Sequence, residues 1–311
     1  MPEVKARFRP AADVLGCWRD DVLAGNPPVL YPAGIGELAR IEIGPRLVTL
    51  IGGPPGAGKT AFVMQLVCDA LRMTPELRAV ICNVEMPPEV LLDRQLARLS
   101  GVDLSLIRHR KLGAEHAGRI EQGFATLEPL CDRVAFVQPR FDLDNVAATA
   151  DAFDAGLLVL DYLQRIPPPG DHGDRRGAVD ESMSYLRQFA DAGCAVLVVA
   201  AVARSRDSKG RSSYGEGLNL ASFRESSELE FGCDDAFILS PDKDGGNVTL
   251  RHLKSRNGEP QDICLNFNRR LQRFTAASSI QTRGDRGKLK AIASLWNRTA
   301  PAPDDGEGDE E

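Results

Sequence analysis

No apolar run in the sequence approaches the ~20 residues needed to cross a bilayer, and the N-terminus has no signal-peptide pattern. A membrane is therefore not expected as a partner, and a cytoplasmic setting is. There is no C-x-x-C pair: the seven cysteines (17, 68, 82, 131, 194, 233 and 264) are scattered and mostly embedded in apolar runs, as reduced core residues of an intracellular protein are. The four histidines (109, 116, 172 and 252) show no metal-ligand spacing, so a structural metal is not expected. Net positive charge is missing too, at −6 overall, but Asp304, Asp305, Glu307, Asp309, Glu310 and Glu311 carry all of the excess. Without them acids and bases balance at 38 each, and any contact with nucleic acid must come from local patches. No internal repeat is visible.

What remains is ordinary globular composition, 43% hydrophobic and 26% charged over 311 residues, enough for one large α/β domain with appendages. Its most informative stretch is Ile51-Gly52-Gly53-Pro54-Pro55-Gly56-Ala57-Gly58-Lys59-Thr60, entered from the apolar run Leu47 to Leu50 and followed by a helical pattern from Ala61 to Met73. Gly53, Gly58, Lys59 and Thr60 fit the spacing of a phosphate-binding loop. Glycines let consecutive N–H groups turn inward, and the helix N-terminus adds partial positive charge, so residues 53–61 are candidates to cradle a polyphosphate. Lys59 is expected to reach the β- and γ-phosphates of ATP, and Thr60 to offer its hydroxyl to Mg²⁺.

From Leu47 onward strands and helices alternate: strands at 47–52, 78–84, 133–137, 156–161 and 195–201, with helical segments at 59–73, 88–100, 103–110, 114–128, 143–153 and 178–191. Continuous apolar strands separated by helices predict a mostly parallel sheet covered on both faces, with ligand at the carboxyl ends of the strands. After residue 232, short strand-like runs at 236–239, 247–253, 262–267 and 271–274 predict an antiparallel extension. Residues 1–35, with a helix from Ala11 to Leu23, read as a lead segment packed on the core, 36–276 as the main domain, and 277–311 as a polar tail, acidic and disordered at its end.

A phosphate loop needs an acid for Mg²⁺, and Asp161, ending the buried run Leu157 to Leu160, is the candidate. Hydrolysis needs a carboxylate to orient or deprotonate water, and Glu85, just after the strand 79–84, is expected to stand beside the strand that carries the loop. Two loops, 167–176 and 204–211, are basic at Arg175, Arg176, Arg204, Arg206, Lys209 and Arg211, which suits a phosphate backbone without sequence preference. Aromatic stacking partners are few there, with only Tyr214 close by.

Several motifs occur together in one order: Asn83-Val84-Glu85-Met86-Pro87-Pro88-Glu89 followed by Arg94, Leu99-Ser100-Gly101-Val102 and Ile107-Arg108; then Asp161-Tyr162-Leu163-Gln164; Arg224-Glu225-Ser226; and Leu253-Lys254-Ser255-Arg256-Asn257-Gly258. Across about residues 36–275 this resembles the RecA-like motor domain of the DnaB-type replicative helicases. The resemblance implies a P-loop ATPase that couples hydrolysis to movement on single-stranded DNA, working as a homo-oligomer, a hexameric ring. It implies Glu85 as catalytic carboxylate, Asp161 as the Mg²⁺ acid, Arg94 near the nucleotide, and Lys254 and Arg256 as finger residues for a neighbour's γ-phosphate. Arg224 and Glu225 fall in the segment that meets the single strand in this family. Two departures stand out. Only about 35 residues precede the motor, so the family's collar domain is expected to be absent, with a separate loader or collar protein as a partner. Ala201 also stands where the family carries a γ-phosphate-sensing Gln. A RecA-like ATPase acting in recombination, loading or regulation, or a nucleotide-gated DNA-binding scaffold, therefore stays open beside the helicase.

Overall fold

Apolar runs of four or five residues cannot offer one face to water, and in this chain they become the centre of a nine-stranded sheet. In the computed structural model the described residues are 8–170, 175–202, 205–206, 212–213, 219–223, 231–242 and 246–277. In chain order the elements are α1 (Ala11–Ala24), β1 (Val48–Gly52), α2 (Lys59–Met73), β2 (Ala79–Asn83), α3 (Pro88–Ser100), α4 (Leu104–Arg108), α5 (Ala117–Cys131), β3 (Val134–Phe136), α6 (Leu143–Phe153), β4 (Leu157–Asp161), α7 (Arg175–Asp191), β5 (Ala195–Val199), the two-residue strands β6 (Ser205–Arg206) and β7 (Ser212–Ser213), β8 (Asp235–Pro241), β9 (Asn247–Ser255), β10 (Ile263–Asn268) and β11 (Arg273–Ala276). Compact units divide at residue 276, and beyond Ala277 the tail lies outside the described residues.

The strand order is β11-β10-β9-β8-β1-β5-β4-β2-β3. Pairing is parallel from β8 through β3 and antiparallel from β8 out to β11, which is the RecA-like arrangement with an antiparallel extension. Alternate residues of each central strand feed two separate cores. Ile51, Ile81, Val159 and Leu197 pack with α2 on one face, whereas Leu50, Val80, Leu158 and Val198 pack with α6 and α7 on the other. The order corrects one expectation: β1 is flanked by β5 and β8, and β2 stands beyond β5 and β4. Glu85 is thus not beside the loop strand. Both crossovers, through α2 and through α6 with α7, place the later strands between the first two.

Three other expectations shift. Helix α1 forms, but none of its residues is buried, and Val14, Leu15, Trp18, Val22 and Leu23 are exposed, so this part of the lead segment is not packed on the core. Its chain joins the core only further on, at Tyr31, whose N–H donates to the Ile43 carbonyl, and at the buried Ala33. The last strand runs 273–276 rather than 271–274, because Asn268 Oδ1 accepts from the N–H groups of Arg270 and Leu271 and Gln272 adopts φ 51°, making a turn of residues 269–272. The basic loop 204–211 is framed by β6 and β7, which pair antiparallel.

The extension reaches back to the phosphate-loop segment through aromatics. Phe274 stacks on Phe267 with centroids 4.1 Å apart and meets Phe62 of α2 edge-on at 5.0 Å. A Cβ on Gly58 would come within 2.8 Å of Phe267 and 2.9 Å of Phe274, and its φ of 92° is itself a glycine conformation. Because Phe274 is fully buried, Phe274→Ala is expected to lower unfolding free energy by ~3–5 kcal/mol. Urea denaturation measures this, and a loss below ~1 kcal/mol would show that the extension does not brace α2.

Candidate nucleotide site

The carboxyl ends of β1, β2, β4 and β5 open into a cleft of about 840 Å³. Of the expected loop residues, Pro55, Gly56, Gly58, Lys59 and Thr60 line it. Gly53, Ala57 and Ala61 are buried beneath, shaping the loop rather than facing the cleft, and Pro54 likewise is not on its wall. A Cβ on Gly53 would sit 2.9 Å from the Leu239 carbonyl oxygen, so the loop is pressed against β8. Lys59 Nζ donates to the carbonyls of Gly53 at 2.8 Å and Pro54 at 3.2 Å, curling back over its own loop. Burial holds its pKa below the ordinary lysine value, against the opposing pull of Asp161 and Glu85.

Asp161, at the tip of β4, faces the first turn of α2. Its Oδ2 accepts from the Thr60 hydroxyl at 2.6 Å and from Asn83 Nδ2 at 2.8 Å. Desolvation raises its pKa, opposed by the Thr60 hydrogen bond and by Lys59. A hydroxyl and a carboxylate side by side are the hard oxygen donors Mg²⁺ takes, and it holds most of its remaining shell as water and phosphate oxygen. Among the described residues no three His, Cys, Asp or Glu converge to cage a metal. Thr60 and Asp161 therefore suit Mg²⁺.

Glu85 reaches the same cleft from the end of β2 although that strand is remote from β1. Asn83 explains how the loop after β2 is held: its Oδ1 accepts from the N–H groups of Glu85 at 3.0 Å and Met86 at 2.8 Å while its Nδ2 holds Asp161. One buried amide thus ties the two acids together. Arg94, from α3, also lines the cleft; its Nε is buried without a hydrogen-bond partner, and burial lowers its pKa. An orphaned guanidinium N–H beside a phosphate loop is matched to an anionic ligand.

Sequence reasoning missed Asn83, Tyr162, Arg165, Phe267, Arg269 and Gln272, of which all but Asn83 line the cleft. Arg269 donates to the Gly56 carbonyl at 2.7 Å and lies over the Phe267 ring at 5.3 Å, so the β10–β11 turn walls the loop side of the cleft. Only Asn83 and Tyr162 left a local signal, Asn83 just before the Glu85 loop and Tyr162 within the Asp161-Tyr162-Leu163-Gln164 motif. Ala201 does line the cleft, and its N–H donates to Gln164 Oε1 at 3.0 Å.

Lys254 and Arg256 stand elsewhere. Lys254 Nζ donates to the carbonyls of Phe231 and Cys233, and Arg256 pairs with Asp234 Oδ1 at 2.8 Å. Of the expected nucleic-acid residues, Arg204, Lys209, Arg211, Arg224 and Glu225 lie outside the described residues, and Arg206 is described only as part of strand β6. No helix among the described residues is long and apolar enough to cross a membrane.

The pKa direction at Asp161 generates a prediction. A carboxyl whose folded pKa is raised contributes stability that is present below the unfolded value and lost as pH rises through the folded value. Asp161→Asn removes that loss while keeping an acceptor oxygen for Thr60 and Asn83. The nucleotide-free variant is expected to melt higher than the parent at about pH 7 to 8, the gap closing toward about pH 3. A variant that melts lower at neutral pH would mean that the charged form is favoured in the fold.

Known proteins match this chain along most of its length. The family model described as "DnaB-like helicase C terminal domain" covers residues 34–276. Replicative DNA helicase DnaB of Treponema pallidum (strain Nichols) is 25% identical over 236 residues, covering 74% of this chain and 51% of that protein. Replicative DNA helicase DnaB of Buchnera aphidicola subsp. Schizaphis graminum is 28% identical over 244 residues, with the same coverages. The chain thus spans about half the length of the curated relatives it matches. Among solved structures, one isolated ATPase domain superposes with a TM-score of 0.76 at 17% identity, over 88% of this chain and 100% of that one. A DnaB-like replicative helicase studied for its interactions with primase superposes with a TM-score of 0.74 at 17% identity, over 89% of this chain and 69% of that one. On the family match and the shared fold, the chain belongs to the DnaB-like helicase C-terminal domain family.

Proposed function

We propose that this chain is the ATP-hydrolysing motor of a DnaB-type DNA helicase, coupling hydrolysis of ATP to movement along single-stranded DNA. The observation that carries it is the convergence of Lys59, Thr60, Glu85, Arg94 and Asp161 on one cleft at the carboxyl edge of a RecA-like sheet. Lys59 trades its loop carbonyls for the β- and γ-phosphates. Thr60 and Asp161 hold Mg²⁺, which when bound neutralises charge on the phosphate oxygens. Glu85 orients the attacking water and takes its proton. Arg204, Arg206, Lys209, Arg211, Arg224 and Glu225 are assigned to the DNA strand, and a cytoplasmic setting with a separate loader or collar protein belongs to the same reading.

Assembly as a ring, hexameric in this reading, is supported by where Lys254 and Arg256 stand. Ser255 pairs with Asp235, and Asp235 is neighbour to Thr49, at the amino edge of β1. The phosphate loop leaves the other end of that strand, so Arg256 and Lys254 are turned away from their own cleft. Only a neighbouring copy can bring them to a γ-phosphate. Ala201 favours a second reading, an ATPase of recombination, loading or regulation that does not unwind, or a nucleotide-gated scaffold, since a methyl cannot report on the γ-phosphate. ATPase turnover with and without single-stranded DNA, alongside strand displacement, separates the readings: DNA-stimulated turnover with displacement supports the helicase, turnover without displacement supports the recombination, loading or regulatory ATPase, and tight ATP binding without turnover supports the scaffold.

Glu85→Gln keeps the size but cannot take a proton, so ATP should still bind while turnover falls ~10²-fold or more. Unchanged turnover in a steady-state assay would return Glu85 to a surface acid. Mixing Arg256→Ala with Lys59→Ala subunits tests the shared site. Each variant alone should be nearly inactive, an arginine finger in trans being worth ~10³–10⁵ in rate, and the mixture should partly recover because some interfaces are intact. Normal hydrolysis by assembled Arg256→Ala would remove the finger assignment.

A further inference from the structure

Arg165 lies outside every motif recognised in the sequence, yet it lines the cleft together with Tyr162 and Ala201. Its backbone is fixed. It closes a short 3₁₀ turn, Leu163–Arg165, after β4, anchored by the buried Leu163 and Ile166, and the side chain of Gln164 ties the turn to the N–H of Ala201. Its side chain is loosely held: Nη1 is 4.0 Å from Glu85 Oε1, at the limit of an ion pair, and the two side chains are 54% and 51% exposed. A half-exposed pair at that separation is weak and easily exchanged for a better partner.

The cleft offers a better one. Lys59 occupies the loop end and Arg94 the α3 side, while Ala201, at the end of β5 between the strands of Gly52 and Asp161, presents no side-chain donor. Among the described residues that line the cleft, Arg165 and Arg269 are the remaining cations, and Arg269 is held by the Gly56 carbonyl whereas Arg165 is only weakly paired. It also pairs with the acid assigned to the water. A terminal phosphate bearing negative charge near Glu85 would attract the guanidinium and present it with bidentate acceptors, which a carboxylate 4.0 Å away does not match.

We propose that Arg165 senses the γ-phosphate in cis: it pairs with Glu85 when no triphosphate is present, and turns to the γ-phosphate when one is bound, freeing the Glu85 carboxylate for water. In the step that follows, the water oxygen bonds to the γ-phosphorus, its proton passes to Glu85, and the bond from the γ-phosphorus to the bridging oxygen breaks, giving ADP and phosphate. The inference rests on the nucleotide-site reading above and assigns to Arg165 the discrimination that Ala201 cannot make.

The test is equilibrium binding of a fluorescent, non-hydrolysable ATP analogue and fluorescent ADP to the full chain with Mg²⁺, comparing the parent, Arg165→Ala and Lys59→Ala. A lost charge-assisted contact to phosphate should weaken the triphosphate about tenfold or more in Arg165→Ala and leave ADP within about twofold. The melting temperature without nucleotide should be unchanged, since the side chain is half-exposed. If the ratio of ATP-analogue to ADP affinity in Arg165→Ala stays within about twofold of the parent, the sensor is overturned. Lys59→Ala keeps the two readings apart: it should lose both nucleotides, and if it binds them as the parent does, the site assignment itself fails.

Discussion

A carboxylate taken out of water at the end of β4 sets the geometry of this protein's working edge. Burial disfavours the charge of Asp161, and hydrogen bonds from Thr60 and Asn83, with Lys59 and Arg94 nearby, offset that penalty. The consequence reaches three elements. Thr60 lies in the first turn of α2, so the acid holds the start of the helix that follows the phosphate loop. Asn83 ends β2, and its other end holds the backbone of Glu85 and Met86. Glu85 is therefore positioned through Asp161, although their strands are not carried on the same βα unit.

This dependence explains what the sequence could and could not tell. The phosphate loop is a local object: left-handed glycines, a lysine and a hydroxyl in one short stretch between a buried strand and a helix, so its residues were readable in order. Asp161 was readable for a similar reason, as a charge that terminates a run of Leu and Val. The order of strands was not, because alternating apolar segments are silent on which neighbour each will choose, and Glu85 was placed too near the loop strand. Arg165, Phe267, Arg269 and Gln272 come to the cleft only when β4 and the β10–β11 turn are folded around it, and nothing in their own neighbourhoods marks them. Helix α1 was readable as a helix but not as an exposed one, since an apolar stripe looks the same whether or not the chain supplies its cover.

The aromatic bracket of Phe62, Phe267 and Phe274 has a part in this beyond stability. It fills the space that a side chain on Gly58 would need, and it joins the antiparallel extension to the helix that begins at the phosphate loop. The same β10–β11 turn supplies Arg269, which grips the Gly56 carbonyl. Packing at the rear of the loop and the wall of the cleft are thus one unit, and movement of the extension is felt by the loop.

At the opposite edge of the sheet a second buried carboxylate works differently. Asp234 accepts from the Val48 N–H at 2.8 Å and from Arg187 at 2.6 Å, and holds Arg256 at 2.8 Å. Its side chain is almost wholly buried, whereas that of Arg256 is about half exposed. Removing Arg256 from this cluster leaves Asp234 with a backbone donor and one full positive charge, so no bare anion is created in the interior. Arg256 itself is about half exposed, so on leaving it returns to water or to a new partner, while Asp234 keeps Arg187 and the Val48 N–H. An arginine held this way can be surrendered to a phosphate across an interface, while the β9 strand that presents it stays anchored by its antiparallel pairing with β8. Asp161 shares one oxygen between two donors at the cleft, whereas Asp234 keeps two partners even without Arg256.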